Sequence, residues 1–219
     1  MARRSCSSPR YAYIRPALAY SCSIAPRPRK TTPTRKDEAF RVISNVGTRM
    51  SCDHPARIAA IGGSFCSTPK LMCITATQVG SNTFYNLSTT VSRENFGWMA
   101  VGFGDRMVGT PAVVVWPNSD DSITLSQRKA TKHASPPIDP SPPRLATLRE
   151  DLSTLSSTPA SVLFSMPSSG NATEMMVFAF GTANPRTKDT AATLTRHVWV
   201  YHYTMNLTQT VPDLPVSSN

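Results

Sequence analysis

The 219-residue chain is expected to fold as an all-β sandwich of antiparallel strands. Two observations carry that expectation. Eight short runs rich in Val, Phe, Tyr and Thr recur between Gly, Pro, Asn and Ser, the composition of strands joined by turns. Their number and spacing suit two packed sheets, not an α/β fold. The length allows one well-packed domain with a tail and is short for two.

Taken in order, residues 1–36 are rich in Arg, Ser and Pro and hold no acidic residue. They cannot form a packed core and read as a disordered leader. Residues 37–61 read as a linker, with a short helix around Glu38 to Ile43. Residues 62–210 are the expected domain and 211–219 a tail. The strand runs are Met72–Thr77, Thr83–Thr89, Trp98–Phe103, Ala112–Trp116, Ser122–Ser126, Ser161–Met166, Glu174–Phe180 and Val198–Leu207. The stretch SPPIDPSPPR (Ser135–Arg144) has five prolines, so it is neither a helix nor a central strand. It must cross the surface from one part of the sandwich to another. A short helical turn is expected between Arg144 and Leu155.

The formal charge of +10 would suit a nucleic-acid binder, but its distribution does not. Nine Lys and Arg residues precede the first acid, Asp37, and after them fourteen basic residues face thirteen acidic ones. The domain is nearly neutral and lacks the internal basic cluster that tracks phosphates. No apolar run reaches the eighteen residues of a membrane span. A weak candidate for a secretion signal, YAYIRPALAY, is broken by Arg15 and Pro16. Arg- and Ser-rich, acid-poor leaders also describe organellar transit peptides. The chain has no GxSxG, HExxH or GxxxxGK, and no GxGxxG that opens a helix after a strand. Asp120–Asp121 read as a turn, with no third acid to make a calcium loop.

Met107 sits in a loop between two strand-like runs, flanked by Gly104 and Gly109. A thioether there means either indifferent packing or a soft ligand offered to a metal. His197 heads the last strand run, and a Met/His pair is one way to hold haem iron. Cys66 and Cys73 flank Pro69 and either close a small loop as a disulfide or remain free thiols. Asn86, Asn171 and Asn206 stand in Asn-x-Ser/Thr acceptors for glycosylation.

The order Trp98, Gly102, Gly104, Met107 and Trp116, then Thr124 to Pro136 (TLSQRKATKHASP), then a late His197, resembles the fungal DOMON family. Within it, the chain is similar to the cytochrome domains of cellobiose dehydrogenase, from Phe65 to Leu207. The resemblance implies an immunoglobulin-like β-sandwich carrying one haem b, with Met107 and His197 as axial ligands of the iron. It places the histidine just before the final long strand, with an aromatic six residues on, here Tyr203. It also implies a close Cys pair, here Cys66 and Cys73, and an extracellular or cell-surface location. A displaced start of the chain, with the true export signal missing, fits that location best.

Such a domain relays single electrons and has no catalysis of its own. The implied donor is a flavin dehydrogenase or a membrane b-type cytochrome. The implied acceptors are a copper polysaccharide monooxygenase, ferric iron or a quinone. His202 is expected on the opposite face from His197, because the separation is odd. His133 is expected to be structural. Trp98 and Trp116 are expected in the core between the sheets. Trp199 and Tyr201 would cover the ring edge, and Arg106 and Arg128 would either pair with its propionates or remain ordinary surface arginines. The alternative reading is a haem-free, DOMON-like carbohydrate- or ligand-binding module, with Trp or Tyr faces stacking on sugar rings.

Overall fold

Alternating apolar residues bounded by turn residues build two antiparallel sheets packed face to face. The computed structural model describes residues 60–69 and 71–211. The leader, the helix around Glu38 to Ile43, Cys6, Cys22, Cys52 and His54 lie outside the described residues, as does the tail beyond Val211. The strands are β1 (Ala60–Cys66), β2 (Cys73–Val79), β3 (Asn82–Thr89), β4 (Trp98–Phe103), β5 (Pro111–Pro117) and β6 (Ile123–Lys129). They continue with β7 (Thr147–Leu148), β8 (Ala160–Pro167), β9 (Thr173–Gly181), β10 (Trp199–Asn206) and β11 (Gln209–Val211). The first sheet has the order β11-β1-β2-β3-β8-β7 and the second β10-β9-β4-β5-β6. One 3-10 turn, Glu150–Leu152, falls where a helical turn was expected.

Period-two alternation decides which residues meet between the sheets. Ile74, Ala76, Tyr85, Leu87, Val162 and Phe164 of the first sheet share a core with Met99, Val101, Val113, Val115, Phe178 and Phe180 of the second. Each large apolar side chain buried this way contributes about 1.5–3 kcal/mol. One polar bridge crosses this core. The Tyr85 hydroxyl donates to Glu174 Oε2 at 2.8 Å, and Arg144 donates to Glu174 Oε1 at 2.6 Å. The Arg144 guanidinium also lies over the Phe103 ring, 4.6 Å from its centroid.

All eight expected runs are strands, and β1, β7 and β11 were not expected. β1 contains Gly62 and Gly63, which carry no β signal in sequence. Its strand state follows from close approach. A Cβ on Gly62 would stand 1.8 Å from the Ala76 carbonyl oxygen, and one on Gly63 2.3 Å from that of Asn206. The disulfide between Cys66 and Cys73 is formed, joining directly paired residues of β1 and β2.

The proline-rich stretch runs along the edge of β6 before the chain crosses to β7. Lys129 N–H donates to the Pro137 carbonyl at 3.1 Å and Asp139 N–H to that of Gln127 at 3.0 Å. This shields one edge of the second sheet. Among the glycosylation acceptors, Asn171 lies exposed before β9 and Asn206 exposed at the end of β10. Asn86 is half-buried in the middle of β3, hydrogen-bonded between β2 and β8.

Candidate functional site

The outer face of the second sheet carries small apolar residues where a solvent-facing strand would carry polar ones. Ala100 and Gly102 of β4, Ala112 and Val114 of β5, Ala179 of β9 and Val200 of β10 form a floor with little side-chain relief. Residues 130–136, after β6, and 194–197, before β10, stand beside it, and Arg106, Met107 and Thr110 close one end. The resulting cavity measures about 540 Å³, inside the range of ~300–1,000 Å³ usual for cofactor pockets.

Met107 and His197 both line this cavity. The Met107 loop is fixed by Gly109, whose φ of 85° is readily adopted only by glycine. Gly109 N–H donates to the Ala130 carbonyl at 2.8 Å, tying this loop to the 130–136 wall. His197 lies one residue before Val198, whose N–H donates to the Phe180 carbonyl at 2.9 Å. Burial, reinforced by neighbouring Arg196, lowers the His197 pKa below the ordinary histidine value. The imidazole is therefore neutral at pH 7, the state that ligates metals.

The ionisable residues of the wall are Arg106, His133, Arg196 and His197, with no carboxylate among them. Such a set suits a ligand that brings its own negative charge. Trp98 lies flat in the wall because its partner in β9 is Gly181. A Cβ there would stand 2.2 Å from the indole Nε1. That Nε1 is buried and has no partner among the described residues.

Several expectations change. His202 is not on the opposite face from His197. His197 precedes β10, so strand parity does not extend to it, and Val200 and His202 both face the cavity side. The His202 ring is 3.0 Å through Nδ1 from the Asp105 carbonyl, in the Met107 loop. Trp199 and Tyr201 do not cover the cavity. They stack on each other, and Phe65 of β1 meets Tyr201 at 5.0 Å.

Trp98 and Trp116 are not between the sheets. They form a separate cluster with Ala100, Val114 and Leu194 on the outer face of the second sheet. Arg128 is no surface arginine and offers nothing to a ligand carboxylate. It is 1% exposed, and its guanidinium is bonded to Ser126 and to backbone carbonyls. Arg106 is exposed at the cavity end and pairs with Asp105 at 3.1 Å. His133, expected to be structural, lines the cavity. Arg196 and the small-residue floor were missed. Small apolar residues at every second position of an outward face were the floor's signal; Arg196 had none.

The family profile for the cytochrome domain of cellobiose dehydrogenase matches residues 75–213. The chain belongs to this family. The matched residues contain the cavity, both its candidate ligands and every strand except β1 and the first residues of β2. The cytochrome b domain of pyranose dehydrogenase from Coprinopsis cinerea has a similar fold, with a TM-score of 0.53 and 18% identity. That match covers 65% of this chain and 80% of the other. None of the curated proteins matches the chain. No helix of this cytochrome domain is long and apolar enough to cross a membrane, among the described residues.

Proposed function

We propose that the chain binds one haem b in the cavity on the second sheet and relays single electrons. The observation that supports this most is that Met107 and His197, far apart in sequence, line one cavity with a flat apolar floor. Met107 would hold the iron through its thioether and His197 through its neutral imidazole. Arg106 and Arg196, at a wall without carboxylates, would pair with the propionates. When bound, haem supplies a one-electron Fe(III)/Fe(II) couple. The floor residues would exclude water from the group, and Met107 and His197, both given to holding it, would leave the iron no place for a substrate. The domain would then pass electrons without catalysing a reaction on a bound molecule.

The proposed donor is a flavin dehydrogenase or a membrane b-type cytochrome. The acceptor would be a copper polysaccharide monooxygenase, ferric iron or a quinone, in an extracellular or cell-surface setting. The Cys66–Cys73 disulfide supports that setting, and Asn171 and Asn206 are exposed enough to carry glycans. The haem-free carbohydrate-binding alternative has weaker support. The cavity floor offers Ala, Gly and Val, and Trp98 is the one aromatic residue lining it.

Titration of the purified protein with haemin tests the reading. A single equivalent should give a six-coordinate low-spin spectrum with sharp bands on reduction. Met107→His should keep the haem and lower the reduction potential. His197→Ala should abolish the low-spin spectrum, and His202→Ala should leave it. Loss of haem in His202→Ala with retention in His197→Ala would show that His202, not His197, is the ligand. A wild-type protein that binds no haem would end the proposal.

A further inference from the structure

Residues 187–194 bring His197 to the cavity, yet they belong to no strand. Side chains from β5 and β6 hold them. Trp116 Nε1 donates to the Thr187 carbonyl at 2.8 Å, and Ser126 Oγ to the Thr190 carbonyl at 2.7 Å. Arg128 NH2 donates to the carbonyls of both Thr190 and Ala192, each at 2.7 Å. Its NH1 donates to the Pro136 carbonyl at 3.0 Å, in the opposite wall, and its Nε to Ser126 Oγ at 2.9 Å. Leu194 N–H then donates to Ser135 Oγ at 2.9 Å. One guanidinium thus joins both loops that flank the cavity.

Among the described residues no carboxylate lies in ion-pair contact with Arg128, although it is almost completely buried. Burying a cation is costly, and the charge of Asp189 together with the Trp116 ring, 5.6 Å from the guanidinium carbon, offsets that only in part. Its planar fork of donors is what a lysine cannot supply at this place. We infer that Arg128 is a positioning residue. It fixes the 187–194 segment and the 130–136 wall together, and so sets where His197 stands relative to Met107. The role toward the iron rests on the haem reading; the strap itself does not.

The test uses Arg128→Lys and Arg128→Met in the full chain. Hydrogen exchange of the haem-free protein should speed up at residues 187–197 and 131–136 while β1–β3 keep their protection. After haemin addition the variants should shift toward a high-spin spectrum. Their haem affinity should fall by about 10- to 100-fold, as when a partner behind a metal ligand is lost. Added imidazole should restore the low-spin spectrum, because the missing ligand is then supplied from solution. A merely structural role would not respond to imidazole.

If Arg128→Met does not fold, Ser126→Ala removes two bonds of the strap and Ser135→Ala one, and each should show a smaller version of the same exchange change. Wild-type exchange at 187–197 in all folded variants overturns the strap. Faster exchange with a wild-type low-spin spectrum overturns the positioning role. Failure of the wild-type protein to bind haem refutes the haem reading alone, and the exchange result still decides the strap.

Discussion

Replacing Glu174 by alanine removes the acidic member of the polar bridge between the sheets. Glu174 and Arg144 have side-chain exposures of 8% and 15%, so solvent screens their 2.6 Å contact little. The variant leaves the Arg144 cation and the Tyr85 hydroxyl without their partner. Breaking a buried pair by removing one member costs about 3–5 kcal/mol. Glu174→Gln keeps one acceptor oxygen for Arg144 and turns an NH2 donor toward the Tyr85 hydroxyl, which can accept, but loses the charge, and should cost about 1–2 kcal/mol.

The Arg144→Met single variant and the double variant complete a thermodynamic cycle. The double variant should cost less than the two single variants added, with a coupling of about 2–3 kcal/mol. Urea unfolding of the haem-free protein, followed by tryptophan fluorescence, measures all four. A loss below about 1 kcal/mol in Glu174→Ala, or strict additivity in the cycle, would refute the claim that this bridge clamps the sheets.

The same bridge sets an alkaline limit. Burial, followed by the Glu174 charge, raises the Tyr85 pKa above its ordinary value. The unfolded chain releases that proton near pH ~10, so stability should be full below this and fall as pH rises beyond it. Equilibrium unfolding across pH 9–11 checks the direction. Lys188 and Ser122 together hold the Asp120 carboxyl at about 2. Its stabilising effect should persist above the ordinary aspartate range and disappear as pH falls toward that value, read as faster exchange at 184–190. Cys66→Ser with Cys73→Ser should lower stability by about 2–3 kcal/mol, the entropy of opening so small a loop; an unchanged urea midpoint would contradict it. Gly181→Ala should push Trp98 toward the cavity, weaken haem binding and lower stability by about 1–3 kcal/mol, read from urea unfolding. Trypsin should leave a resistant fragment containing residues 60–211.

Much of the fold was legible because strand preference and turn chemistry are local. The run Trp98–Phe103 is apolar throughout, so it marks a buried strand, and only packing shows that Met99 and Val101 point inward. Met107 and His197 were legible as candidates because a loop methionine and a strand-heading histidine are unusual placements. Strand parity misplaced His202, because it governs residues within a strand and His197 stands outside one. It also could not say what lies beyond a face. Trp98 and Trp116 look like core tryptophans in any local reading, and only the 187–194 segment folded over them makes their cluster an outer one.

The amino-acid sequence by itself determined eight of the strands, the turns between them, the close cysteine pair and the two candidate ligands. These depend on side-chain period, backbone preference and residue chemistry within a few positions. The tertiary structure alone decided that the glycines of β1 make a strand, since the reason is the Ala76 and Asn206 backbone pressed against them. It also decided which small residues become a cavity floor. Arg128 illustrates the difference most directly. In sequence it is a surface cation, but the carbonyls it bonds belong to Thr190 and Ala192, 62 and 64 residues away. Hydrogen-bonding capacity is written in a residue, whereas the partner that satisfies it is fixed only when distant segments pack.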